Sequence, residues 1–307
     1  MNKIVNLERI LCAVAESYET DGALQYAIAL ARSYSAKLFV LTCAEQSYPR
    51  PDNFPAIHLA INRAIEHSII DLPGDANASP LDWELITEDS VGPADAITRE
   101  AETRNVDLIV MGARRRQPAT SILGSTAEIV TRTAPCPVLV TRSRPNQSSA
   151  IPNVHIKKVL VAYDFSNDSA LALRYGLSIA QEYQSQLHLL HVMADGKTTE
   201  AELSWTSQAQ EGPYHEAARR LHESVPPEAH LWCQVTHLVR EGRPYREIVS
   251  YAVEQGIDLI CIGASGEGFR LGSVFGSNAD RVLRQAPCPV LVVRPSAAQR
   301  VQPNQTA

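Results

Sequence analysis

No apolar run in the chain approaches the roughly 18 residues that span a bilayer. The N-terminal stretch MNKIVNLERILCAV lacks a long apolar segment followed by a small-residue cleavage site, so neither export nor membrane insertion is signalled and a cytoplasmic protein is expected. The six cysteines include no CxxC pair, and most sit in apolar runs, which argues for reduced core thiols and against a disulfide framework or a zinc site. Positive charge is not in excess: the net charge is −6, which speaks against a nucleic-acid or anionic-membrane surface. There is no G-x4-G-K-[ST] loop of a Walker-type NTPase and no G-x-S-x-G nucleophile elbow. Gly266 and Gly268 begin a dinucleotide-like G-x-G, but Leu271 stands where its third glycine belongs.

What the chain does have is an internal repeat. EIVTRTAPCPVLVTR (128–142) is answered by DRVLRQAPCPVLVVR (280–294), and NVDLIVMGA (105–113) by GIDLICIGA (256–264). ILCAVAES (10–17) matches VLVAYDFS (159–166), and Trp83 matches Trp232. A period near 150 residues marks a duplicated domain rather than a solenoid, and the 307-residue chain is long enough for two independent cores. The polar, proline-containing stretch 143–155 reads as a linker between domains spanning 1–142 and 156–296, and 297–307 as a disordered tail.

Each repeat alternates short Val/Ile/Leu-rich runs with helix-like stretches, the pattern of an α/β fold with a parallel sheet covered on both faces. Strands are predicted near 9–15, 37–43, 81–87, 106–111 and 137–141 in the first repeat. In the second they are KKVLVAYD, QLHLLHV, LWCQVTHLV, IDLICIG and PVLVVR, separated by helices at 169–184, 208–224, 245–255 and 277–286. The expectation is two tandem doubly wound five-stranded domains, with strands one and four adjacent where the winding reverses.

The fourth strand of the second repeat ends in Gly263-Ala-Ser-Gly266, and nine residues later Gly276-Ser277-Asn278 opens a helix. Glycines there permit close backbone approach to a ligand, and unpaired N–H groups of Gly276 and Ser277 at the positive end of a helix suit a phosphate. Asp164 ends the first strand, placed across the crevice to accept hydrogen bonds from ribose hydroxyls, while the end of the second strand, His191-Val192, offers main-chain groups to a base.

These residues make the chain resemble a tandem universal stress protein, whose nucleotide pattern is G-x2-G-x9-G-[S/T] preceded by an Asp at the end of the first strand. Asp164, Gly263, Gly266, Gly276 and Ser277 match every position. The resemblance implies an adenine nucleotide alpha hydrolase-like fold of strand order 3-2-1-4-5 and binding of ATP, with Mg²⁺ as its companion. It further places Val192 and Ile262 beside the adenine and Ala162 on the ribose side, and counts Asn278 among the binding residues. A stress-response role, a protein partner and a homodimer are also implied, since the family often dimerises through the last strand; here the fused repeats are expected to satisfy part of that pairing internally, through 137–141 against 290–294.

The first repeat departs from that pattern. Ala15 holds the Asp position, Arg115 replaces the second glycine, and only eight residues separate Arg115 from Gly124-Ser125. Loss of binding is the expectation, with a different anionic ligand as the alternative. The run 114–116 reads as a solvated loop rather than a nucleic-acid patch. His188 and His191 lie three apart on a strand and face opposite ways; His215 and His222 share a helix face without an evident third ligand. With no catalytic base identifiable, a nucleotide-responsive binding module is favoured. The alternatives are a slow ATPase or phosphotransferase in which Glu267 or a metal-bound water acts, with Arg270 also in the loop spacer, and a scaffold without nucleotide.

Overall fold

The computed structural model describes residues 4–14, 22–43, 54–67, 80–88, 92–113, 123–142, 154–193, 212–266 and 275–295. Ala15, the run 114–116, Glu267, Arg270, most of the linker and the tail lie outside them. The chain divides into two compact units, comprising residues 5–155 and 156–294. Among the described residues no helix is long and apolar enough to cross a membrane.

The first unit runs β1 (Arg9–Val14), α1 (Ala23–Tyr34), β2 (Lys37–Cys43), α2 (Phe54–His67), β3 (Trp83–Glu88), α3 (Pro93–Thr103), β4 (Leu108–Gly112), α4 (Ser125–Thr133) and β5 (Val138–Thr141). The second runs β6 (Lys158–Ala162), α5 (Asn167–Tyr183), β7 (Gln186–Met193), α6 (Pro213–Glu223), β8 (Val235–Glu241), α7 (Pro244–Gln255), β9 (Leu259–Gly263), α8 (Ser277–Gln285) and β10 (Val290–Val293). The strand orders are β3-β2-β1-β4-β5 and β8-β7-β6-β9-β10, all parallel, so both units are doubly wound α/β domains with the order 3-2-1-4-5. The inner strands are buried nearly throughout, as a sheet covered on both faces requires, whereas the outer strands β3 and β8 are mostly half-exposed.

One expectation shifts. The third strand of the second unit begins at Val235, not at Leu231, because Pro227–Leu231 forms a 3-10 turn with proline at its start. Proline fixes φ in the helical range there and has no N–H for a ladder.

Both units tie strand one to strand four with the same device. Asp107 Oδ2 accepts the backbone N–H groups of Glu8 (2.8 Å) and Arg9 (2.9 Å). Its repeat equivalent, Asp258, accepts those of Lys157 (2.9 Å) and Lys158 (3.0 Å). A carboxylate taking two N–H donors sets where the first strand enters the sheet and makes charge-assisted bonds stronger than ordinary ladder bonds. The six cysteines are free thiols, five of them buried, and burial pushes the Cys233 and Cys261 thiols up from their ordinary range.

Helix α5 lies against β6 so closely that a Cβ on Gly176 would stand 2.5 Å from Val161 Cγ2. Mid-helix glycine costs about 1 kcal/mol relative to alanine, so this contact overrides propensity. Gly176→Ala should lower stability by about 1–3 kcal/mol although alanine is the better helix former. Measured by chemical denaturation, the loss should shrink when Val161→Ala is combined with it; a stabilised single variant would show that the two elements separate easily.

Candidate functional site

Strands β6 and β9 are adjacent with Ala162 opposite Ile262, and the chain leaves both of them on the same end of the sheet. A cavity of about 430 Å³ opens there. Its lining includes Ala162, Asp164, Val192, Ile262 and Gly263, and also Gly266, Gly276, Ser277 and Asn278. All nine residues singled out from the sequence thus meet in one space, joined by Ile248 and Pro244 from α7 and by Met193.

The polar side of the cavity is built around the turn into α5. Ser166 caps that helix, its Oγ accepting the Ser169 N–H (3.2 Å). The same Oγ donates to Asp164 Oδ1 (2.5 Å), which also accepts the Ser166 N–H (3.1 Å). Asp164 is therefore oriented by its Oδ1, and its Oδ2 points at Gly266: a Cβ on Gly266 would lie 2.7 Å from that oxygen. Between Asp164 and Ser166, Phe165 holds φ at 63°, a conformation that costs a non-glycine residue about 1–3 kcal/mol. Its ring is clamped by Tyr163 (centroids 5.3 Å), by His191 (4.6 Å) and by the Arg220 guanidinium of α6 (3.9 Å). Sequence reasoning missed this residue, since nothing in a phenylalanine announces a left-handed backbone.

The apolar side ends at β7. Leu187 and Met193 direct their main-chain bonds toward β8, and Leu190 accepts from Tyr163 on the β6 side. By that alternation Val192 faces the β6 side as well, beyond the end of β6 at Ala162. The Tyr163 carbonyl that a continuing ladder would offer to Val192 accepts instead from His191 Nδ1 (2.8 Å); a carbonyl only accepts, so Nδ1 carries the proton. The main-chain N–H and C=O of Val192 are thereby directed into the cavity. His188, as expected, faces the other way and meets the Tyr251 hydroxyl (2.7 Å), with burial holding its imidazole below the usual range.

Two of the glycine roles expected from the sequence need correction. Gly263 does not make room for a ligand: its missing Cβ is replaced by α5, where Asp168 Cβ (2.8 Å), Asp168 C (2.9 Å) and Ser169 N (3.0 Å) already stand. Gly276 does not present a free N–H, because that group donates to the Ala264 carbonyl (2.8 Å). A Cβ there would meet the same carbonyl oxygen at 3.2 Å. The first N–H to complete a turn of α8 is that of Asp280, donating to Gly276 O. The N–H groups that open α8 are therefore those of Ser277, Asn278 and Ala279, which have no preceding helical turn to bond to.

Asp168, in the first turn of α5, accepts the Ser265 N–H (3.0 Å) and so ties the β9 loop to the helix. Burial pushes its carboxyl above the ordinary range, against the lowering effect of the Ser265 bond. A raised carboxyl means the folded state holds the proton more tightly than the unfolded state, so this group's contribution to stability improves as pH falls through its titration and is lost above it. Asp168→Asn, which keeps an acceptor and removes the charge, should match or exceed the parent's melting temperature at neutral pH, and the difference should narrow in acid. A large loss at neutral pH would show that the ionised carboxylate itself is required.

The universal stress protein family model matches this chain twice, over residues 6–142 and 155–294. A universal stress protein of Bacillus subtilis is 30% identical over 145 residues, covering 45% of this chain and 98% of its own. One from Mycobacterium tuberculosis is 26% identical over 296 residues, covering 94% and 97%. Among solved structures, a universal stress protein from Archaeoglobus fulgidus shares the fold at a TM-score of 0.60 and 22% identity, covering 93% of this chain and 98% of that one. With each half matched by the same family model, the chain belongs to the universal stress protein family and is a tandem member of it.

Proposed function

We propose that the second unit is a receptor for an adenine nucleotide, with ATP and its Mg²⁺ as the ligand, and that the chain works as a nucleotide-responsive regulatory module rather than by turnover. The observation that carries this is the convergence of an apolar slot, an oriented carboxylate and a helix N-terminus on one cavity of about 430 Å³, a size suited to a small cofactor. The adenine would lie between Val192 and Ile262, its edge read by the main-chain groups of Val192. Asp164, already fixed by Ser166, would accept from the ribose hydroxyls. The phosphates would sit on the N–H groups that open α8, with the Ser277 hydroxyl adding a donor. Mg²⁺ would enter with those phosphates.

Binding rather than hydrolysis is favoured by the chemistry of the lining: among its described residues Asp164 is the one carboxylate, and it is committed to the ribose end. The six free thiols fit a reducing compartment such as the cytoplasm.

The test is calorimetric titration of the full chain with Mg²⁺ and ATP. One ATP per chain is expected, weakened in Asp164→Ala by roughly 1.5–3 kcal/mol, the worth of hydrogen bonds to a charged group. Two per chain would give the first unit a site of its own, and none would overturn the reading. Gly276→Val should also weaken ATP binding by crowding the Ala264 carbonyl and the α8 N-terminus; unchanged affinity in a folded Gly276→Val protein would remove the phosphate cradle from the argument. Gly266→Ala should act through Asp164, so that its effect on affinity is much smaller in an Asp164→Ala background. Additive losses would instead place Gly266 directly against the ligand.

A further inference from the structure

Away from the nucleotide cavity, three histidines from three different elements come together. His222 lies in the last turn of α6, His230 in the 3-10 turn Pro227–Leu231, and His237 near the start of β8. The His222 and His237 ring centroids are 4.9 Å apart, His222 and His230 5.8 Å, and His230 and His237 5.9 Å. One nitrogen from each ring lies within 4.8 Å of those of the other two. From the sequence His222 was paired with His215 on one helix face and lacked a third ligand; chain folding beyond the helix supplies two.

We propose that His222, His230 and His237 bind a divalent transition-metal ion, with zinc as the occupant. His237 is the fixed member. It stands opposite Leu189 in the β7–β8 ladder and so projects to the face away from the one where His188 meets α7. Its Nε2 is buried and has no hydrogen-bond partner among the described residues, an unfavourable state for a polar group without compensation. A metal bond at that nitrogen removes the deficit. His222 and His230 are exposed and are free to adjust. Zinc–nitrogen bonds of about 2.0–2.1 Å place the nitrogens of a tetrahedral shell about 3.3–3.4 Å apart, so small rotations of those two rings close the triangle around an ion. Their exposure leaves the fourth position to water.

The chemistry of the donors selects the ion. Three imidazoles suit zinc, copper, nickel or cobalt, and offer nothing to the hard, oxygen-seeking Mg²⁺ that accompanies a nucleotide. The ion would fasten the end of α6 and the following turn to the outer strand β8, the least buried strand of that unit. Because α6 also carries Arg220, whose guanidinium covers the Phe165 ring beside Asp164, the helix being fastened is the one that buttresses the nucleotide cavity.

The experiment uses the tag-free full chain without nucleotide, titrated with Zn²⁺ by calorimetry and with Co²⁺ by its visible spectrum. One ion per chain is expected, with the Co²⁺ spectrum showing d–d bands and no sulfur-to-metal charge-transfer band. Affinity should fall at least about tenfold in His222→Ala and in His230→Ala, since losing a ligand costs no less than losing one of its supporting partners. Both positions are exposed, so these variants are expected to fold, which circular dichroism checks; His237→Ala should abolish binding. Absence of saturable binding, unchanged affinity in the two exposed variants, or a charge-transfer band reporting cysteine ligation would each overturn the proposal.

Discussion

The arrangement of the second unit depends on the pairing of its first and fourth strands. At the entry end, Asp258, just before the fourth strand, takes two N–H groups at the start of the first and fixes the register. At the exit end, that register sets Ala162 beside Ile262 and brings the turn after β6 against the turn after β9. Asp164 and Gly266, about a hundred residues apart in sequence, can meet only because these strands are neighbours. Slipping the pair by one residue would turn every side chain of β6 to the wrong face and carry Asp164 out of the cavity.

Within that frame the exit end is held in place before any ligand arrives. One oxygen of Asp164 is occupied by Ser166, which also caps α5. The left-handed backbone at Phe165 is maintained by three ring contacts, and Asp168 anchors the β9 loop from the other side. A receptor that is already ordered spends less of its binding energy on ordering itself. The same contacts explain why side chains are excluded at Gly263 and Gly266: the protein's own atoms fill those positions.

The repeat and the alternation of strands and helices were legible in runs of buried aliphatic residues, and Asp164 with the glycine loop in residues at strand ends, whereas the full strand order and the places of Ala162, Val192, Ile262 and Asn278 came from the resemblance to the family. What the individual glycines do was not legible. Gly263 and Gly276 read as ligand-facing from their spacing, yet one accommodates a helix and the other donates to the Ala264 carbonyl, because a glycine's reason lies in whatever atom takes the place of its Cβ. The start of β8 was misplaced since Leu231 and Trp232 look like strand residues and the preceding prolines act only on local backbone. The three histidines were invisible for a different reason: they belong to a helix, a turn and a strand, and share no periodicity.

The matched carboxylates, Asp107 and Asp258, lie at the opposite end of the strands from the turns that form the cavity in the second unit. They survive as a pair, while the residues at the exit end of the first repeat have changed, Ala15 standing for Asp164 and Arg115 for Gly266. Architecture and ligand chemistry are thus written at separate ends of the same strands. Because the two ends are held by different residues, the loops at the exit end can differ between the two repeats while the entry-end carboxylate stays the same. The tandem chain thus carries one strand order twice, with two different sets of exit-end residues placed on it.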